Sequence, residues 1–218
     1  MKSVSKILVS SAAVAAALAT AQAQAFDATN LTMRARALYI QPADQNGAIP
    51  TIGVPGDSID VQAKFAPDID FEYDVSESVG VELLLTIPQD HTVTATRTAL
   101  GNDVKLGTVT HLPPTLTVKY YLGTETFRSY VGAGVNFTLF TRDHLSVPTV
   151  GTLDVRKTSF GGALQAGFDY RLYERWSLSL DAKKVWMGTS VSLAGTRLAT
   201  VTIDPWLWGA GVGYRFGQ

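Results

Sequence analysis

Three histidines, His91, His111 and His144, are the side chains best suited by type to move a proton near neutral pH. Asp143 and Ser146 lie beside His144, so an acid, a base and a hydroxyl fall close together in the chain. Hydrolytic chemistry needs a histidine within hydrogen-bond reach of its nucleophile and an acid to orient it. No spacing singles out such a set, so no residue is assigned as catalytic and the chain is not expected to be an enzyme. The sequence has no cysteine, which excludes disulfides and thiolate metal sites. No metal-ligand spacing, nucleotide loop or basic nucleic-acid patch stands out. No metal, no cofactor and no nucleic-acid partner is expected.

The other chemistry-bearing residues are charges that recur at every second position. Asp68, Asp70, Glu72 and Asp74 alternate with Ile69, Phe71, Tyr73 and Val75. Arg34 and Arg36 alternate with Met33, Ala35 and Ala37. Glu82, Lys119, Arg128, Asp169, Arg171, Asp181, Lys183 and Arg215 sit in the same kind of pattern. Such a period sends the charges to one face of a strand and the apolar residues to the other.

The elements that must position them are therefore strands. Segments 31–41, 67–75, 79–87, 112–122, 129–140, 159–172, 176–187 and about 200–216 all alternate, and no helical stretch competes. Their lengths suit the ~9–11 residues that a tilted membrane strand needs. The connections alternate too. Those at 42–60, 88–108, 142–157 and 188–199 are long and polar, whereas those near 76–78, 123–127 and 173–175 are short. A soluble sandwich has no reason for that asymmetry, but an outer-membrane barrel does, with short periplasmic turns and longer external loops. Aromatic residues fall near both ends of the apolar faces: Tyr73, Tyr120, Tyr170, Trp176, Tyr214 and Phe216 at one, Tyr39, Phe137, Trp186 and Trp206 at the other. The expected fold is all-β, an eight-stranded antiparallel up-and-down transmembrane β-barrel.

Residues 1–25 read as a cleaved signal peptide. Lys2 and Lys6 precede an apolar run from Ile7 to Ala21, and Ala-Gln-Ala-Gln-Ala ends at Ala25. The run falls short of the ~20 residues of a membrane-spanning helix. The barrel domain is then 26–218, exported to the bacterial outer membrane. Of the 18 basic residues 16 lie beyond residue 25, as do all 19 acidic ones, a net charge of −3. That near-balance suggests no electrostatic partner.

An eight-stranded barrel is just wide enough for its side chains to fill. Seven basic and seven acidic residues are expected in the periplasmic half of its lumen, where unpaired charge is costly. They are the fourteen recurring charges named above. Arg34, Arg36, Asp70, Glu72, Glu82, Lys119, Arg128, Asp169, Asp181, Lys183 and Arg215 are the expected plug. In the outer half the same face carries Leu38, Ile40, Leu84, Phe140, Val185, Met187, Ile203 and Leu207. These either line a dry binding pocket for a small hydrophobic molecule or simply fill space. Lys184, Pro205 and the Val201/Ile203 parity imply a bulge in the last two strands. Glycines at 132, 134 and 209–213 lie inside strands, where they relieve crowding in a narrow lumen.

Several stretches resemble the OmpW family of outer-membrane proteins, which includes alkane-uptake proteins. They are 33–36 (Met-Arg-Ala-Arg), 106–116 (Leu-Gly-Thr-Val-Thr-His-Leu-Pro-Pro-Thr-Leu), 130–138, 159–161, 203–206 (Ile-Asp-Pro-Trp) and 211–216. The resemblance implies a channel that small hydrophobic solutes enter from outside and leave sideways into the membrane. Pro113 and Pro114 mark either the lateral opening or merely a strand start, since proline cannot donate to a ladder. Outer-membrane lipids, small hydrophobic solutes, periplasmic chaperones and the barrel-insertion machinery are the expected partners. Gly217 and Gln218 follow the aromatic residue on which such barrels usually end. A structural or receptor barrel with partner-binding loops is the alternative function, and a lipid-modifying enzyme a more distant one.

Overall fold

A computed structural model of the chain describes residues 27–43, 45–46, 59–95, 104–147, 151–193 and 196–217. The expected signal peptide lies outside these residues. Eight strands form the wall: β1 (Leu31–Gln41), β2 (Lys64–Ser76), β3 (Val79–Thr86), β4 (Thr115–Gly123), β5 (Phe127–Val147), β6 (Thr158–Tyr173), β7 (Trp176–Val185) and β8 (Trp206–Arg215). Each pairs antiparallel with the next, and β8 returns to β1 through the ladder from Thr32–Arg215 to Gln41–Trp206. Closure pairs each of these eight strands on both sides over most of its length, as a wall in lipid requires.

Strand period sets the polarity of the wall. On β4, Thr115, Thr117, Lys119 and Tyr121 are buried, while Leu116, Val118, Tyr120 and Leu122 are about half exposed. The barrel is thus apolar outside and polar within, as expected of a wall facing lipid. Aromatic pairs mark its two rims. Trp176 meets Tyr214 and Tyr214 meets Phe216 near the short turns, with ring centroids 5.0 and 5.2 Å apart. Tyr39 meets Phe65 at 5.0 Å, and Trp206 stacks on Trp208 at 5.7 Å, at the other rim. The end of the chain is tied in, as Phe216 N–H donates to the Leu31 carbonyl at 2.9 Å.

The long connections differ from their expected form, because their described parts are strands that carry the sheet outward. Gln89–Ala95 and Val104–Leu112 form a hairpin that pairs Ile59–Val61 on one side and the upper part of β5 on the other. Gly151–Val155, Gly188–Leu193, Thr196–Thr202 and Gln45–Asn46 extend the opposite side. The anticipated irregularity near 184–205 lies further out than Lys184 and Pro205. Lys184–Trp206 and Gly188–Thr202 share one register, and the shift falls beyond them, where Val191 pairs Ala199 but Ser192 pairs Arg197. The strands break at 186–187 and 203–205. There Asp204 adopts φ +33° and its carboxylate accepts from Met187 N–H at 2.7 Å.

Lumen glycines relieve crowding where expected. A Cβ on Gly132 would stand 2.9 Å from Gln165 Cγ, and one on Gly213 2.7 Å from Ser177 Oγ. On the lipid face, Leu116 lies midway between the rims, pairing Leu83 and Val135. Leu116→Arg should destabilise the barrel by about 2–4 kcal/mol in reversible unfolding from lipid vesicles. A neutral result would contradict the lipid-facing assignment.

Candidate functional site: the lumen and its side wall

Period two on β1 and β2 aims Arg34, Arg36, Asp68, Asp70 and Glu72 at one another across a ladder that pairs Arg34 with Asp70 and Arg36 with Asp68. Arg34 is completely enclosed and uses its five N–H donors on three carboxylates. Nη1 reaches Asp70 (3.1 Å) and Glu72 (2.9 Å), Nη2 reaches Glu72 (2.9 Å) and Asp169 (2.7 Å), and Nε reaches Asp169 (3.2 Å). Arg36 donates to Asp68 at 3.0 Å and lies 2.9 Å from Asp70 and 3.8 Å from Asp181. Lys119 joins Glu72 (2.7 Å) to Glu82, and Lys183 completes the chain to Glu82 at 2.6 Å. The network is therefore continuous across the lumen.

Below it, Asp74 holds Arg128 (3.0 Å) and Arg215 (3.1 Å), and the Arg128 guanidinium stacks 3.4 Å over the Tyr121 ring. A polar vestibule of about 560 Å³ opens beneath, reaching Arg34 and Asp169. All eleven plug residues of the sequence reading fall within this ionic layer. Arg171 does not. It points into the vestibule and pairs with exposed Glu125 at 3.3 Å. The lumen thus holds seven acids against six bases. Sequence alone also missed Tyr130, whose hydroxyl donates to Asp181 at 3.0 Å and whose ring lies 4.1 Å from Lys119 Nζ. It occupies an inward position of β5, which its parity could have shown.

Above the ions lies a neutral polar layer. Asn136 donates to Thr115 Oγ1 (2.9 Å) and to the carbonyls of Pro113 and Pro114 (3.3 and 3.2 Å), while Thr138 donates to Asn136. The apolar layer comes next. Leu38, Ile40, Leu84, Val185, Met187 and Leu207 form one buried cluster with Ala66 and Ala163, and Ile203 packs on it. Phe140, expected among them, stands at the edge with its ring 6.1 Å from His111. The cluster is nearly solid. Its cavity is about 20 Å³, room for about one water molecule.

A polar collar caps this layer. Thr86, Gln89, His91 and His111 are buried, and the two imidazoles stack with centroids 4.8 Å apart. His91 was expected in a loop. It instead lies on the inward face of Gln89–Ala95, with Nδ1 3.1 Å from the Gln62 carbonyl. Asp143, His144 and Ser146 lie on the outer part of β5, and their side chains are outside the described residues.

The wall beside the apolar layer is discontinuous. The β2–β3 ladder ends at Asp68–Thr86, and the next pair in that register, Val61–Val93, belongs to the outer strands. The β3–β4 ladder ends at Leu84–Thr115 and resumes as Gln89–His111. Ile87 and Pro88 both face outward, reversing the alternation. Pro67, Pro88, Pro113 and Pro114 border this seam, and none can donate to it. The other side of Pro114 is closed, because its carbonyl accepts from Phe137 N–H at 3.0 Å.

Removing Arg34 would strand Asp169 and leave Asp70 and Glu72 with one cation each, Arg36 and Lys119. Arg34→Met should cost about 3–5 kcal/mol of unfolding free energy. Adding Glu72→Gln should return part of that loss, since the two sites share one network. Urea titration of the two variants in vesicles measures both effects, and additive losses would show that the network is not coupled.

The OmpW family model matches residues 27–216. Outer membrane protein W of Escherichia coli (strain K12) is 34% identical over 223 residues, covering 97% of this chain and 99% of that protein. The dibenzothiophene metabolism operon protein PahQ of Pseudomonas aeruginosa is 31% identical, covering 75% of this chain and 77% of that one. The crystal structure of the outer membrane protein OprG from Pseudomonas aeruginosa superposes with a TM-score of 0.72 at 28% identity, covering 86% and 96% of the two chains. An inverted eight-stranded barrel with an ionic floor, matched along nearly its whole length, belongs to the OmpW family and resides in the bacterial outer membrane.

Proposed function

We propose that the protein conducts small hydrophobic molecules from the outside into the outer membrane, through the apolar upper lumen and out through the seam beside Leu85–Pro88. The observation that carries this reading is the position of the seam. The wall loses its ladder at the height of the apolar layer, directly above an ionic layer that offers an apolar solute nothing. A solute that reaches Leu38, Leu84 and Leu207 cannot go down, and the nearest surface of matching polarity is the lipid beyond the seam. The name of PahQ places that relative with the metabolism of an apolar aromatic compound, which agrees with this class of solute.

The cavity between the leucines is about 20 Å³, so a solute passing there requires the leucines to move or the seam to part. The segment Leu85–Pro88 is the part of the wall with least to break. It makes no ladder pair with β4, and its pairing with β2 stops at Thr86.

Uptake of a medium-chain alkane by cells with and without the protein tests the reading. Leu84→Asp or Leu207→Asp should cut uptake to near background while the barrel still folds. Equal uptake with and without the protein would sink it. The exit has its own test, helped by a chain without cysteine. Pro67 and Ile87 are the next opposed positions above Asp68–Thr86, and both face outward. A Pro67→Cys/Ile87→Cys disulfide should stop uptake, and reductant should restore it. Undiminished uptake in the oxidised form would place the exit elsewhere.

A further inference from the structure

The cavity in the apolar layer is not apolar all round. Thr86, His111, Thr115 and Asn136 line it together with Leu38, Leu84, Val185 and Leu207. Thr115 and Asn136 are satisfied by each other and by the Pro113 and Pro114 carbonyls. Thr86 is not. Its residue is 6% exposed, and its hydroxyl is buried with no hydrogen-bond partner among the described residues. A buried hydroxyl left unmade costs about 1–3 kcal/mol. Threonine here therefore works against stability, where valine would fill the same space at no such cost.

The surroundings limit what can satisfy it. No Asp, Glu, Lys or Arg lines the cavity. An ionised ligand head would be desolvated there without a counter-charge, which is strongly unfavourable. A neutral head that donates and accepts one or two hydrogen bonds is matched. His111 offers a second such group, its ring packed against His91 and Phe140.

We propose that this lumen takes solutes with an apolar tail and one neutral hydrogen-bonding head, such as an alcohol, ketone or ester. Thr86 Oγ1 and His111 hold the head, and the tail lies along the leucines. The inference rests on the conduit reading and narrows its substrate class. Placement supports it. Thr86 is the last β3 residue in the ladder with β2, so the head is held where the seam begins. From there the tail enters the lipid first, and the head is released last.

The test compares uptake of n-octane, 1-octanol and octanoate at neutral pH. The cells carry wild type, Thr86→Val, Thr86→Ser or no protein, and heat-modifiable gel mobility reports assembly. Thr86→Val should lower 1-octanol uptake relative to n-octane uptake about three- to tenfold, the worth of one buried hydrogen bond. Thr86→Ser should restore it, and octanoate should enter no faster than in cells without the protein. If Thr86→Val does not assemble, Thr86→Ala removes the same hydroxyl. An equal effect of the hydroxyl-less variant on octane and octanol, no effect on either, or octanoate uptake matching octanol overturns the proposal alone. If wild type speeds neither octane nor octanol, the conduit reading itself falls.

Discussion

Eight strands enclose too little space for water to solvate thirteen charges, so each charge drawn inward must be neutralised by another side chain. Everything else in the barrel follows from that constraint. Arg34 satisfies it most fully, with five donors on three carboxylates drawn from β2 and β6. Because β1, β2 and β6 are tied through one guanidinium, the network fixes the register of strands that are far apart in sequence. Moving any of these strands by one residue would send its whole charged row into lipid. The ionic layer thus specifies the closure of the wall as well as filling it.

The same constraint explains the wall's weak place. Backbone groups in lipid must be bonded within the protein, and the ladder meets that demand almost everywhere. Between β3 and its neighbours it fails over a few residues, and proline is present on each bordering segment. Pro67, Pro88, Pro113 and Pro114 contribute no N–H that could be left unbonded, so the interruption costs less than the same gap in any other sequence. A break at this height would be harmful beside the ions, where water leaking in would compete for the carboxylates. It lies instead beside leucines.

Much of this was legible in the sequence because the period of a strand is two and each face has one chemistry. The charged rows at 68–74 and 34–36 announced both the barrel and its plug. What stayed hidden was hidden for physical reasons. On Gln89–Ala95 the face that holds Val93 and Ala95 also holds Gln89 and His91, so its alternation with Asp90, Thr92 and Thr94 carried little hydropathy signal, and it read as a loop. Arg171 shares the inward parity of Asp169, but it lies one pair nearer the mouth, where a long side chain can reach water and Glu125. Lys184, Pro205 and the Val201/Ile203 parity were read as a bulge. At that height a left-handed Asp204 turns the chain and its carboxylate replaces the missing ladder partner, while the register shift itself falls further out, at Val191–Ser192. The volume left between leucines depends on rotamers, which no pattern encodes.

A layer of buried ion pairs is a poor choice for stability alone. Well-packed apolar residues of similar volume often do as well or better. The upper half of this barrel shows that its sequence can build such a layer. The difference between the halves is what each accepts. An apolar solute entering the leucine layer exchanges one set of dispersion contacts for another and loses little. The same solute in the ionic layer would have to separate Arg34 from Glu72, or Lys183 from Glu82, and leave each charge without a partner. The ionic layer is therefore a floor whose height is set by chemistry. On the proposed reading it would turn an apolar solute aside without blocking the lumen above it, and the seam lies at the height where that solute would be turned.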